Sequence, residues 1–178
     1  MTASEKYIKQ ARSLNLAGLR KLWAQIVSGN TAEWPSGKAM EYLILRAFEL
    51  DGATVVWPFD VSSGGKTIEQ IDGVIYVDGL AVLAECKDYK DPVNFGPIAK
   101  MHQQLIRRPP STLGCFFAKN GFTDEAILLA EKHTPQNVLL WHGDEIEFAL
   151  RKKKMRKGLI SKYRHSVEHA LPDFKINI

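Results

Sequence analysis

Apolar residues recur at helical spacing from the start of the chain. Tyr7, Ile8, Ala11, Leu14, Leu19, Leu22, Trp23 and Ile26, with Lys and Arg between them, predict a helix over 5–27 that Gly29 and Asn30 stop. Trp34, Pro35 and Ser36 open a second helix over 37–50, with Ala39, Met40, Leu43, Ile44, Ala47 and Phe48 as its stripe and Gly52 at its end. The period then shortens to that of strands. Thr54–Trp57 is the first, Ile71–Val77 the second and Leu80–Lys87 the third. Between the first two, Val61–Lys66 holds Ser62, Ser63, Gly64 and Gly65 and reads as a mobile loop. Asp78–Gly79 between apolar runs is a hairpin signal. A helix over 97–107 ends before Pro109 and Pro110, and Leu113–Ala118 is a fourth strand. Thr123 caps a helix over 124–132, with Asp124 and Glu125 at its positive end. Val138–Trp141 is a fifth strand, and helices follow over 144–153 and 157–170. A three-stranded meander followed by crossovers gives an α/β fold, a mixed central sheet flanked by helices. The first helix and the C-terminal helices are additions to it.

The hairpin permits a register calculation. A two-residue turn pairs Val77 with Leu80, Tyr76 with Ala81, Val74 with Leu83 and Asp72 with Glu85. Opposed residues share one face, roughly 4.5–5.5 Å apart at Cβ. Lys87, two residues beyond Glu85, projects from that same face. Two opposed carboxylates repel, and a divalent cation is one reason to place them together. Mg²⁺ takes carboxylate, water and phosphate oxygens. It activates water and neutralises charge on an attacked phosphate. A neighbouring lysine orients that water or stabilises the developing negative charge. Asp72, Glu85 and Lys87 therefore point to phosphodiester hydrolysis. The plainer reading makes Asp72 a strand-entry residue and Glu85 and Lys87 rim charges. Against it, Leu80–Ala84 is apolar on both faces, and charges that follow a buried run need partners.

Charge changes the picture at the C-terminus. The chain has 178 residues, 45% hydrophobic and 25% charged, and a net charge of +4. Eight of its 24 basic residues lie in 151–165, which holds no acid: Arg151, Lys152, Lys153, Lys154, Arg156, Lys157, Lys162 and Arg164. The remaining chain is net acidic. A basic segment on an acidic body suits contact with a polyanion, or is a solvated helix. Lys152, Lys153, Lys154, Arg156 and Lys157 are the candidate phosphate contacts. No apolar run is long enough to cross a membrane, the N-terminus lacks a secretory signal core, and two cysteines make no disulfide framework. A cytoplasmic location is the expectation. His165 and His169, one helical turn apart, read as surface residues. Cys86 and Cys115 read as buried thiols, and the four tryptophans as core. Gly65–Lys66–Thr67 resembles the end of a phosphate-binding loop, but Asp60 stands where its first glycine belongs. It reads instead as a loop near the active face that enters a DNA groove.

Asp72, twelve intervening residues and Glu85–Cys86–Lys87 resemble the signature of PD-(D/E)xK nucleases. Glu41 matches the acidic residue those enzymes place on their first core helix. Gly114–Ala118, then Gly121–Phe122–Thr123–Asp124–Glu125–Ala126, then Val138–Ile146 are similar to the catalytic domain of Mrr-like restriction endonucleases. The resemblance covers residues 36–150. It implies a restriction-endonuclease-like core of order αβββαβ and a metal-dependent endonuclease acting on DNA, with a role in defence. It implies Asp72, Glu85, the Cys86 backbone carbonyl and Glu41 as Mg²⁺ ligands, Glu41 through water or a second ion. Mn²⁺ would substitute. Lys87 would position the attacking water. It divides the chain into an N-terminal helical extension (1–35), the nuclease core (36–150) and a basic C-terminal helical segment (151–178). Two departures stand out. The approach to Asp72 reads Thr67–Ile68–Glu69–Gln70–Ile71 instead of being glycine-rich, and 35 residues are too few for a winged-helix targeting domain. Related nucleases also use a glutamine on the helix after the ExK strand, here Gln103 or Gln104. Cutting both strands favours a homodimer, with the apolar stripe of the first helix as interface or as core. A targeting or defence-system partner subunit would supply specificity. A Holliday-junction resolvase, or a non-catalytic DNA-binding subunit, would use the same fold.

Overall fold

A computed structural model describes residues 3–133 and 135–176. The outer ends of the two appended segments, residues 1–2 and 177–178, lie outside the described residues. The predicted first helix is two helices, α1 (Ala3–Ser13) and α2 (Leu16–Ser28). Asn15 divides them. Its extended backbone and its side chain, which accepts the Gly18 N–H at 2.9 Å, start a new helix instead of continuing the old one. Gly29 ends α2 in the left-handed conformation, φ 74°. Leu19, Leu22, Trp23 and Ile26 are buried, with α2 packed on α3 (Ala39–Leu50) and α6 (Gly143–Lys152). The apolar stripe considered as a dimer interface is therefore core. α3 is buried nearly all round and lies between α1 and α2 on one side and the sheet on the other.

The sheet has five strands in the order β1-β4-β5-β6-β7. They are β1 (Thr54–Val56), β4 (Gly73–Val77), β5 (Leu80–Lys87), β6 (Thr112–Ala118) and β7 (Val138–His142). β1, β4 and β5 are antiparallel, and β5, β6 and β7 run parallel. α4 (Phe95–Ile106) and α5 (Asp124–Lys132) are the crossover helices, and α7 (Met155–His169) follows α6. Helix α3, strands β1, β4 and β5, helix α4 and strand β6 reproduce the predicted αβββαβ order. The sheet separates two cores. One joins it to α1, α2, α3, α6 and α7, and the other to α4 and α5. Trp23, Trp34, Trp57 and Trp141 are all buried, as are Cys86 and Cys115.

The predicted mobile loop is instead a hairpin. β2 (Phe59–Ser63) and β3 (Lys66–Ile71) form a two-stranded antiparallel sheet of their own. Gly64 and Gly65, at φ 57° and 76°, make the two-residue turn whose twist matches the strands. The predicted strand Ile71–Val77 thus splits at Asp72 into the end of β3 and the start of β4. Gly73 lies so close to α3 that a Cβ there would stand 2.6 Å from the Leu45 side chain. The Asp78–Gly79 turn forms as predicted, with both residues at positive φ. The register holds from Val77↔Leu80 to Gly73↔Ala84. It ends one pair short of Asp72 and Glu85, where the chain leaves the sheet for the β2–β3 hairpin.

Candidate active site

Four elements converge where β5 ends. Asp72 lies between β3 and β4, Glu85 and Lys87 end β5, and Glu41 lies in the first turn of α3. Glu41, Asp72 and Glu85 are 3%, 6% and 5% exposed, so three carboxyl groups share a buried end of the sheet. Asp72 does not face Glu85 as a ladder partner. Its Oδ2 accepts the backbone N–H of Cys86 at 2.9 Å, which fixes the carboxylate against β5. Glu85 Oε1 holds Lys87 Nζ at 2.5 Å. Glu41 Oε1 holds Lys38 Nζ at 2.8 Å, while Glu41 Oε2 is buried with no hydrogen-bond partner.

The electrostatics follow from this crowding. Burial, and then the charge of Asp72, push the Glu41 carboxyl up to about 8. Burial and then Asp72 also raise Glu85, against the pull of Lys87 and Lys100. Burial works against the charge on Lys87, but Glu85 outweighs it and raises the ammonium's pKa. Lys38 behaves in the same way beside Glu41. Burial pushes the Cys86 thiol well up, leaving it a neutral core side chain. The three buried carboxyl groups therefore disfavour one another's charge, and Lys38 and Lys87 offset that only in part.

A divalent cation would relieve that repulsion. The donors are carboxylate oxygens, the set that Mg²⁺ takes, and Glu41 Oε2 is an orphaned buried acceptor. Among the described residues no three His, Cys, Asp and Glu side chains are grouped to hold a metal ion. A cation here would accordingly be held by few carboxylates, completed by backbone carbonyl and water. A cleft lined by Lys38, Phe59, Asp60, Gln70 and Asp72 opens onto the cluster.

Two lysines at this site escape the sequence signature. Lys38 precedes α3 and neutralises Glu41, and Lys100 on α4 acts on Glu85. A helical spacing from Lys100 to Gln103, Gln104 and Arg107 was the available signal. The structure also separates the two glutamines. Gln104 is buried, and its amide donates to the Gln70 carbonyl at 3.5 Å. Gln103 is exposed and lines a second cleft with Thr67, Lys100 and Arg107.

The basic segment is not brought to the carboxylates. Lys153, Lys154, Arg156 and Lys157 surround Asp51 and Asp78, at the turn end of the β4–β5 hairpin. Arg156 donates from its backbone to Asp51 Oδ2 at 2.9 Å and pairs with Asp78 at 2.6 Å. The whole of β5 separates that turn from Lys87, roughly 23 Å at ~3.3 Å per residue. Lys162, counted in the sequence with the solvated charges, is fully buried against Glu145 at 2.6 Å.

The model of the restriction endonuclease family Mrr_cat matches residues 34–150, which include all four elements of the site. A comparison with curated proteins finds no match. Among solved structures, the restriction endonuclease FokI aligns at a TM-score of 0.44 and 13% identity, over 73% of this chain and 27% of its own. The MspJI restriction endonuclease in complex with a 27-mer oligonucleotide aligns at 0.40 and 18%, over 79% of this chain and 31% of its own. The chain thus spans under a third of the length of either.

Proposed function

Since the chain belongs to the Mrr_cat restriction endonuclease family and carries its nuclease domain, we propose that it is a Mg²⁺-dependent endodeoxyribonuclease that hydrolyses DNA phosphodiester bonds. The observation that carries this reading is the buried meeting of Glu41, Asp72 and Glu85 beside Lys87, with a Glu41 oxygen left unpartnered. Asp72, Glu85 and the Cys86 backbone carbonyl would hold the cation, with Glu41 contacting it through water, and Mn²⁺ would substitute. The bound cation supplies charge neutralisation for the attacked phosphate and a more acidic water. Asp72 is fixed by the Cys86 N–H, and Glu41 Oε2 is the unpartnered oxygen that a metal-held water would meet. Lys87, held by Glu85, orients the attacking water or stabilises the negative charge that develops on the attacked phosphate. The product keeps a 5′-phosphate.

One such site cuts one strand, so cleavage of a duplex proceeds through a homodimer. Lys152, Lys153, Lys154 and Lys157 are remote phosphate contacts, with Arg156 bracing them against Asp51 and Asp78. A targeting or defence-system partner subunit completes the specificity. Among the described residues no helix is long and apolar enough to cross a membrane, and the enzyme works in the cytoplasm.

Incubation of purified chain with supercoiled plasmid tests the activity. Nicked circles should appear with Mg²⁺ or Mn²⁺ and not with EDTA. Cleavage that persists in EDTA, or that prefers RNA, would contradict the proposal.

A further inference from the structure

The β2–β3 hairpin is not needed to close the sheet. β1 pairs directly with β4, so the hairpin is an insertion between two neighbouring strands. A lone hairpin is marginal in water. This one is anchored at its base. Ile71 and Val61 pack into the α4–α5 core. The buried Glu69 carboxylate holds the Arg107 guanidinium and that of Arg108, the latter at 2.6 Å. Gln104 donates to the Gln70 carbonyl. Beyond those anchors Ser62, Ser63, Lys66 and Thr67 are exposed, and a Cβ added at either tip glycine would meet nothing within 4 Å.

The register supplies a second observation. Val61 pairs with Glu69 but Ser62 with Thr67, so Ile68 is a bulge residue without a partner. Bulges beside active sites re-aim side chains. Ile68 is turned outward, 59% exposed in a polar hairpin, over the cleft of Lys100, Gln103 and Arg107. The base of the hairpin runs straight into Asp72.

The geometry points to a groove-reading role, resting on the nuclease reading above: the β2–β3 ribbon enters the major groove of duplex DNA beside the phosphate to be cut. Two strands about 4.8 Å apart fit a groove about 12 Å wide. Lys66 reaches guanine O6 and N7, and Ser62, Ser63 and Thr67 offer both donors and acceptors to base edges. Ile68 offers apolar contact to a thymine methyl. Lys100 across the cleft takes a backbone phosphate. Asp60 is the exposed acid of the ribbon, on the side of Lys38.

Dimethyl sulfate methylation of guanine N7 reports the major groove. Full-length chain carrying Asp72→Asn, so that the duplex stays uncut, is bound to duplex DNA and probed. It should protect guanine N7. Adding Ser62→Ala, Ser63→Ala, Lys66→Ala and Thr67→Ala should abolish protection and weaken binding roughly tenfold or more, with the melting temperature retained. Lys66→Ala alone, at an exposed tip, should lose part of the protection. Adding Lys21→Ala instead, on the exposed face of α2, should leave it intact. Binding without N7 protection, or protection that survives the ribbon substitutions, overturns the proposal. Failure of the nuclease reading is seen separately, as absence of metal-dependent nicking by the wild type.

Discussion

Asp72 both disturbs the cluster and defines it. Its charge raises Glu41 and Glu85, while its Oδ2 is held by the Cys86 N–H. Asp72→Asn keeps an acceptor for that N–H and removes the charge. The variant should be more stable than wild type in EDTA, by roughly 0.2–1 kcal/mol, the scale of one charge–charge contact. Mg²⁺ should then raise the wild-type melting temperature by mass action and the variant's much less. Melting curves of both proteins in EDTA and in excess Mg²⁺ check this. An equal gain from Mg²⁺ removes Asp72 from the ligand set. The motif names these residues in the sequence, whereas the hairpin register that opposed Asp72 to Glu85 stops one pair short of them. Their burial beside Glu41 was not legible there, because it depends on α3, distant in sequence, lying across the sheet. Lys38 stayed hidden for the same reason.

At the scale of elements, polarity decided what could be read. Strands buried on both faces, such as β6, announce themselves by continuous apolar runs. β2 and β3 do not, because their outer residues face water and Gly64–Gly65 reads equally as a loop. The long first helix hid its break because Asn15 acts through its cap and not through any gap in the apolar pattern. α7 shows the reverse error. Lys162 sits in a basic run yet is buried, donating to the Phe174 carbonyl and paired with Glu145. Glu145 in turn accepts the N–H groups of His142 and Ile176. Burial lowers the Lys162 pKa against the pull of Glu145. This network fastens the C-terminal tail to α6. Lys162→Met leaves Glu145 charged and buried, at a cost of about 3 kcal/mol, the low end for a broken buried pair because two N–H donors remain. The melting temperature should fall by roughly 6–12 °C. Adding Glu145→Gln should recover part of the loss. A single variant that melts like wild type would show that the pair contributes nothing.

The whole molecule places its charge at two ends of one sheet. The carboxylates, Lys38, Lys87 and Lys100 stand at the ExK end, and the C-terminal lysines at the Asp78 turn. A duplex long enough to touch both spans about seven base pairs, at ~3.4 Å per step. Lys152→Ala, Lys153→Ala, Lys154→Ala and Lys157→Ala together should make the log K against log salt slope shallower, by roughly 0.9 for each phosphate that the chain no longer neutralises. A salt titration of duplex binding measures it, and an unchanged slope assigns the patch elsewhere. Arg156 is left intact in that variant because it braces Asp51 and Asp78.

The central claim is that Lys87 and the carboxylates it joins carry out hydrolysis. Single-turnover plasmid cleavage in Mg²⁺, at saturating enzyme, compares wild type with Lys87→Ala. Lys87 is partly exposed and pairs only at the site, so the variant should keep its circular dichroism. The rate should fall by roughly a hundredfold or more, the scale of removing one transition-state donor. A folded Lys87→Ala protein that nicks plasmid at the wild-type rate would contradict it.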